Sequence, residues 1–295
     1  MSEIFDFLKK TEDKRGKETR DSFDELDMDF KEPALNAPIK EPMPPEQVSA
    51  EVEICSPDRF DLTQASQHLR SVLDPFTLVG EQFRVLRSKL GLMQKQRGIK
   101  TLLVTSSVPD EGKTLTACSL AGVFAQETGK RVVLIDADMR KPKSGWNFGL
   151  NGSTGTAGLS EVLRGAQEFR NGLLMSLNPE FHFMPSGPLP SNPSELLSSA
   201  SLERTLKTAA ANFDWIIVDS PPVLGLSDTQ LISPLCDAVV FVVRAGFTPS
   251  KLVLEAVGQI GRDRICGVVL NRQKQSHTSR YYYQYYYRSS KRDKE

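Results

Sequence analysis

The chain has 295 residues, of which 39% are hydrophobic and 25% charged, and its formal net charge is zero. That is the composition of a globular protein of one or two domains, and for the chain as a whole it predicts neither a nucleic-acid nor a membrane-surface partner. No apolar run approaches the ~18 residues that cross a bilayer. Acidic residues and lysines interrupt the start, Met1-Ser2-Glu3-Ile4-Phe5, as a secretory signal would not allow. Cys55, Cys118, Cys236 and Cys266 are far apart without a CxxC pair, and three sit among apolar or small neighbours, which reads as reduced, buried thiols. The expectation is a cytoplasmic protein whose membrane role comes through a partner.

Residues 1–53 hold fifteen acidic and eight basic residues, with prolines at 33, 38, 42, 44 and 45. Such a segment has too little apolar surface to offset chain entropy, so most of it is predicted to be disordered. Ile4, Phe5, Phe7 and Leu8 crowd one side of a candidate short helix ending near Thr11; a docking element and a frayed terminus fit that pattern equally. Order is expected from near Phe60. Over 79–96, Phe83, Leu86, Leu90 and Met93 recur at three- and four-residue steps and predict a helix. Beside that face run Glu81, Arg84 and Arg87, which on spacing alone read as a solvated, self-paired surface.

The apolar run from Thr101 to Val104 predicts a buried strand. A small-residue turn follows, then Gly112-Lys113-Thr114, then a helical stretch from Leu115 to about Gln126. Strand, tight loop and helix are the parts of a phosphate cradle, in which backbone N–H groups point at phosphate oxygens. Lys113 would reach the β/γ region and the Thr114 hydroxyl would take a magnesium ion, while a Cβ at Gly112 would hold the backbone off the phosphates. Ser107 stands where the eight-residue pattern usually starts with glycine. Next, Val132-Val133-Leu134-Ile135 predicts a buried parallel strand ending at Asp136-Ala137-Asp138. Helices are predicted near 157–165 and 194–211, the second opened by a capping box of Asn192, Pro193 and Glu195. Trp215-Ile216-Ile217-Val218 then leads to Asp219-Ser220-Pro221-Pro222, and strands at 238–243 and 267–270 flank a helix near 251–260.

Strands alternating with helices predict an α/β fold, a doubly wound and mostly parallel sheet flanked by helices, with its ligand at the carboxyl ends of strands. Asp219 is the expected carboxylate near magnesium, directly or through water. Asp136 and Asp138 are read as pointing to opposite sides of the pleat, one toward the metal and the other toward an incoming hydroxyl as orienter or general base. From Gln273 onward aliphatic residues are scarce. All six tyrosines of the chain (Tyr281, Tyr282, Tyr283, Tyr285, Tyr286 and Tyr287) fall in one seven-residue window, predicting a mobile tail.

Three stretches together resemble the Walker A, A′ and B motifs of bacterial tyrosine kinases of the capsular and exopolysaccharide type. They are Ser107 to Thr114, the run through Asp136-Ala137-Asp138-Met139-Arg140-Lys141-Pro142, and Ile216 to Pro222. The similarity spans about residues 71–271 and includes Gly187-Pro188 to Leu197 and Ser227-Asp228. The resemblance implies a P-loop ATPase fold with ATP and Mg2+ as cofactors. By that resemblance Asp110, Glu111, Gly112, Lys113, Thr114 and Leu115 surround the nucleotide and Asn271 lies near the adenine. Thr114, Asp136 and Asp219 hold the metal, and Lys113, Asp136, Asp138 and Asp219 carry the chemistry. The six tyrosines would be the autophosphorylation tail, and Glu81, Arg84 and Arg87 the ExxRxxR motif of a ring interface. Asp110 replaces a commoner glycine, and Ser119 a common asparagine.

The expectation is a chain without the family's fused membrane-spanning half. This implies a split arrangement in which a separate membrane chain-length or export protein activates the kinase at the inner face of the plasma membrane, opposed by a phosphotyrosine phosphatase. The expected layout is a regulatory segment at 1–57, a kinase domain at 58–275 and a tyrosine-rich tail at 276–295. The alternative is a partition- or assembly-type ATPase switching oligomerisation or membrane attachment. That group commonly carries an extra lysine where Val108 stands, and has no use for clustered tyrosines.

Overall fold

The computed structural model describes residues 58–150 and 157–273. The expectations for the N-terminal segment, Cys55 and the six tyrosines lie outside these residues. Eight strands form one sheet: β1 (Asp58–Phe60), β2 (Thr101–Ser106), β3 (Val132–Asp136), β4 (Leu174–Leu177), β5 (Glu180–Met184), β6 (Trp215–Asp219), β7 (Ala238–Arg244) and β8 (Ile265–Asn271). Their spatial order is β1-β4-β5-β3-β6-β2-β7-β8, and only β4 and β5 pair antiparallel. The expected doubly wound, mostly parallel sheet is what the chain forms.

Alternate residues of each central strand serve opposite faces, as the pleat dictates. Leu103, Val133, Ile135, Ile216, Val218 and Phe241 join one core cluster. There they meet α5 (Leu159–Leu163), α6 (Pro193–Leu197), α7 (Ala200–Asn212), α8 (Asp228–Ile232) and α9 (Ser250–Ile260). Leu102, Val104, Leu134, Trp215, Ile217 and Val240 join the other, under α1 (Gln67–Leu73), α2 (Leu78–Arg97) and α3 (Lys113–Ala125). The central strands are apolar throughout because both faces are covered.

The helix predicted at 79–96 is α2. Thr77 caps it by accepting from the Gly80 N–H, and Gly98, at φ 69°, ends it. Leu90 is buried, and Phe83, Leu86 and Met93 pack half-buried on the second core. One helix predicted over 194–211 is instead two, α6 and α7. The backbone bonds run on to the Ser198 and Ser199 N–H groups, and the Ser198 and Ser199 hydroxyls add bonds to the Glu195 and Leu196 carbonyls. Ser199 then turns extended, at ψ 150°, and breaks the ladder. Nor does Asn192 cap α6 as expected; its side-chain amide donates to the Glu195 carboxylate.

Candidate active site

Three adjacent strands end at one place. Val104 of β2 lies opposite Asp219 of β6, and Asp219 opposite Asp136 of β3, in register. From β2 the chain turns through 107–112 into α3, whose first residue is Lys113. Two residues of the turn have positive φ: Asp110 at 63° and Gly112 at 95°. Aspartate tolerates this left-handed conformation better than most side chains, so Asp110 fills a position suited to glycine.

Lys113 Nζ lies 3.1 Å from Asp138 Oδ2 and 3.3 Å from Thr114 Oγ1. Burial alone would lower its pKa; the Asp219, Asp138 and Asp136 carboxylates outweigh that and raise it. All three aspartates therefore act on one ammonium. The expectation that Asp136 and Asp138 face opposite ways is corrected: β3 ends at Asp136, and the turn after it brings the Asp138 carboxylate back to the same ammonium. The turn carrying them is closed on itself. The Asp138 N–H donates to Asp136 Oδ1 at 3.1 Å, and the Lys141 N–H to Asp138 Oδ1 at 3.0 Å.

Asp136 and Asp219 are buried, at 1% and 0% exposure. Burial, followed by repulsion from Asp219 and Asp138, pushes the Asp136 carboxyl up to about 8. Burial pushes Asp219 up to about 6 against the pull of Lys113 and Thr114. Ser144, the first residue of α4 (Ser144–Asn147), joins the pair: its N–H donates to Asp136 Oδ2 at 3.2 Å and its hydroxyl to Asp219 Oδ2 at 3.3 Å. No local pattern in the sequence marks Ser144.

These groups fit a nucleotide with a divalent ion. Asp219 Oδ1 is buried with no hydrogen-bond partner among the described residues, and two carboxylates are held where an arriving cation would relieve them. No cluster of three His, Cys, Asp or Glu poised to hold a metal occurs among the described residues. Magnesium keeps its waters and needs only one or two carboxylates beside the substrate phosphates, which Asp136 and Asp219 could supply. Thr114 is nearly buried at the first turn of α3. Leu115, next in that turn, packs half-buried on the second core.

On the other side of the loop, Asn271 at the end of β8 donates from Nδ2 to the Glu111 carbonyl at 2.8 Å. A Cβ on Gly112 would sit 2.0 Å from that Nδ2. Asn271 thus lies against the phosphate loop itself. Two residues beyond Asp138, Arg140 grips the buried Asp228 with both ends of its guanidinium fork, at 2.7 and 3.0 Å, and bonds Ser194 Oγ at 2.8 Å.

A family model described as an AAA domain matches residues 110–253. The tyrosine-protein kinase YwqD of Bacillus subtilis is 34% identical over 223 residues, covering 75% of this chain and 92% of YwqD. The chain belongs to the bacterial tyrosine kinases. The kinase is also 32% identical over 226 residues to the tyrosine-protein kinase wzc of Salmonella typhimurium, and there it spans only 31% of the relative's length. Two solved structures agree with the fold. The kinase domain of the Escherichia coli tyrosine kinase ETK has TM-score 0.64 and 29% identity over 73% of this chain and 85% of that one. The chimerical protein CapA2B2 has TM-score 0.65 and 30% identity over 73% and 93%.

In this kinase the stripe on α2 is occupied within the chain. Arg84 Nε pairs with Glu81 Oε2 at 2.9 Å and its Nη2 donates to the Pro75 carbonyl, while Arg87 Nη1 donates to the Val123 carbonyl at 2.7 Å. Ser119, at the position that departs from the family pattern, has a buried hydroxyl without a partner among the described residues. No helix among the described residues is long and apolar enough to cross a membrane.

Proposed function

We propose that the kinase transfers the γ-phosphoryl group of ATP to the tyrosines at 281–283 and 285–287 of a neighbouring copy, within a ring, and so regulates polysaccharide polymerisation and export. The observation that carries this reading is the meeting of Lys113 with Asp136, Asp138 and Asp219 at the carboxyl ends of the central strands. In the proposed site the backbone of 110–115 cradles the phosphates and Lys113 neutralises them, with Asn271 on the nucleoside side. Thr114, Asp219 and Asp136 would hold magnesium, which when bound supplies charge neutralisation on the phosphates.

Asp136 is also the proposed acceptor of the tyrosine hydroxyl proton. Its Oδ2 is oriented by the Ser144 N–H, and the bound cation together with Lys113 would keep its carboxylate ionised and able to act as a base. Asp138 stays with Lys113 and keeps the ammonium aimed into the site. Each transfer adds roughly −1.5 to −2 charges to the tail, and several within seven residues repel one another and leave the site. Glu81, Arg84 and Arg87 are proposed as the ring contact. A separate membrane protein is the proposed activator at the inner face of the plasma membrane, with a phosphatase resetting the tail. The proposed layout remains a regulatory segment at 1–57, a kinase domain at 58–275 and a tail at 276–295.

Incubation with ATP and Mg2+ followed by phosphotyrosine detection tests the reading. Wild type is expected to label, and Lys113→Met and Asp136→Asn to abolish the label. Phosphate release without labelled protein would favour the partition-type ATPase instead.

A further inference from the structure

We propose that Glu111 is a positioning residue whose carboxylate clamps the phosphate loop to the connection between β7 and α9, making nucleotide affinity depend on Thr248. This rests on the nucleotide-binding part of the kinase reading. Glu111 belongs to the loop, yet its side chain does not face the site: the residue is fully buried, at 0% exposure. Oε2 accepts the Val108 N–H at 2.8 Å, from the start of the same loop. Oε1 accepts the Arg244 N–H at 3.2 Å, from the last residue of β7, and the Thr248 hydroxyl, from the connection that follows it. The Glu111 carbonyl is held separately by Asn271.

A carboxylate beside bound phosphates repels them, so a buried glutamate here needs a reason other than ligand contact. The donor count supplies it. Three donors converge on two oxygens, and only an ionised carboxylate accepts on both sides. A glutamine of the same shape has one acceptor oxygen, and its NH2 must face a donor on the other side. Val108 opens the loop and Glu111 nears its end, so their bond fixes the loop's curvature. The bonds to Arg244 and Thr248 fix where that curve stands relative to β7.

Titration calorimetry with ADP and Mg2+ on the full chain tests this without requiring phosphoryl transfer. Glu111→Gln is expected to weaken ADP binding about tenfold, the loss of a hydrogen bond to a charged group plus an unmatched donor. Thr248→Val is expected to weaken it about threefold to tenfold, with Thr248→Ser within about twofold of wild type because the hydroxyl returns. Equal or tighter binding by Glu111→Gln would overturn the proposal, since a space-filling role predicts no change and a simple charge effect predicts tightening. Unchanged binding by Thr248→Val would overturn it as well. Should Glu111→Gln fail to fold by circular dichroism, the two Thr248 variants decide alone. A wild-type chain that binds ADP yet labels no tyrosine would instead count against the kinase reading, while one that binds no ADP would sink both.

Discussion

At Gly112 two constraints meet: φ is 95°, and the place of a Cβ is taken by the Asn271 amide 2.0 Å away. Gly112→Ala is therefore expected to weaken ADP binding about tenfold or more, from left-handed strain plus the displaced amide; calorimetry on the folded variant checks it. Arg140 makes a different kind of demand. Its planar fork matches the Asp228 carboxylate, with Ser194 Oγ bonded to both, and Asp228 sits at 0% exposure. Lysine keeps the charge and loses the fork. Arg140→Lys should cost about 1–3 kcal/mol in urea unfolding and lower phosphotyrosine formation more than ADP affinity, because the turn bearing Asp138 loses its outer anchor. Individual residues were legible in the sequence where a motif fixed their spacing, as for Lys113, Thr114, Asp136 and Asp219. Ser144 and Thr248 were not, because each reaches its carboxylate across the fold from a segment without a pattern. Asp110 was legible as a departure, and its φ of 63° explains why that departure is tolerated.

Among the elements, α3 joins chemistry to stability. Lys113 stands at its first residue, and near its other end Phe124 stacks on Trp215 of β6 with ring centroids 4.2 Å apart, both rings fully buried. Phe124→Ala should cost about 3–5 kcal/mol through lost transfer and a cavity, read from urea unfolding by tryptophan fluorescence. Strands such as 132–135 and 215–218 declared themselves because burial on both faces demands unbroken apolar runs. The β4–β5 hairpin did not: Ser176 and His182 interrupt the apolar runs, and β1 has only three residues. The break between α6 and α7 was missed for a related reason. Helical periodicity continues across Ser198 and Ser199, and the extended backbone at Ser199, which no pattern announces, is what separates the two helices.

For the whole molecule, the buried carboxylates set a pH dependence. Asp136 at about 8 and Asp219 at about 6 both lie above their ordinary value of 3.8. Between those limits the folded chain binds more protons than the unfolded one, so stability falls as pH rises from about 4 and levels off above about 8. Thermal unfolding in a metal-chelating buffer should show that decline. Asp136→Asn should flatten its upper half, between about pH 6 and 8, and Mg2+ with ADP should lift the alkaline end most. The sheet itself finishes differently at its two margins. On one side the three-residue β1 shields the hairpin. On the other, β8 offers seven residues, Ile265–Asn271, without a proline or a charge and with no strand beyond it among the described residues. Among the described residues the ladder of β8 is therefore one-sided, made to β7 alone, and charge and proline, the usual guards of an edge strand, are missing from it.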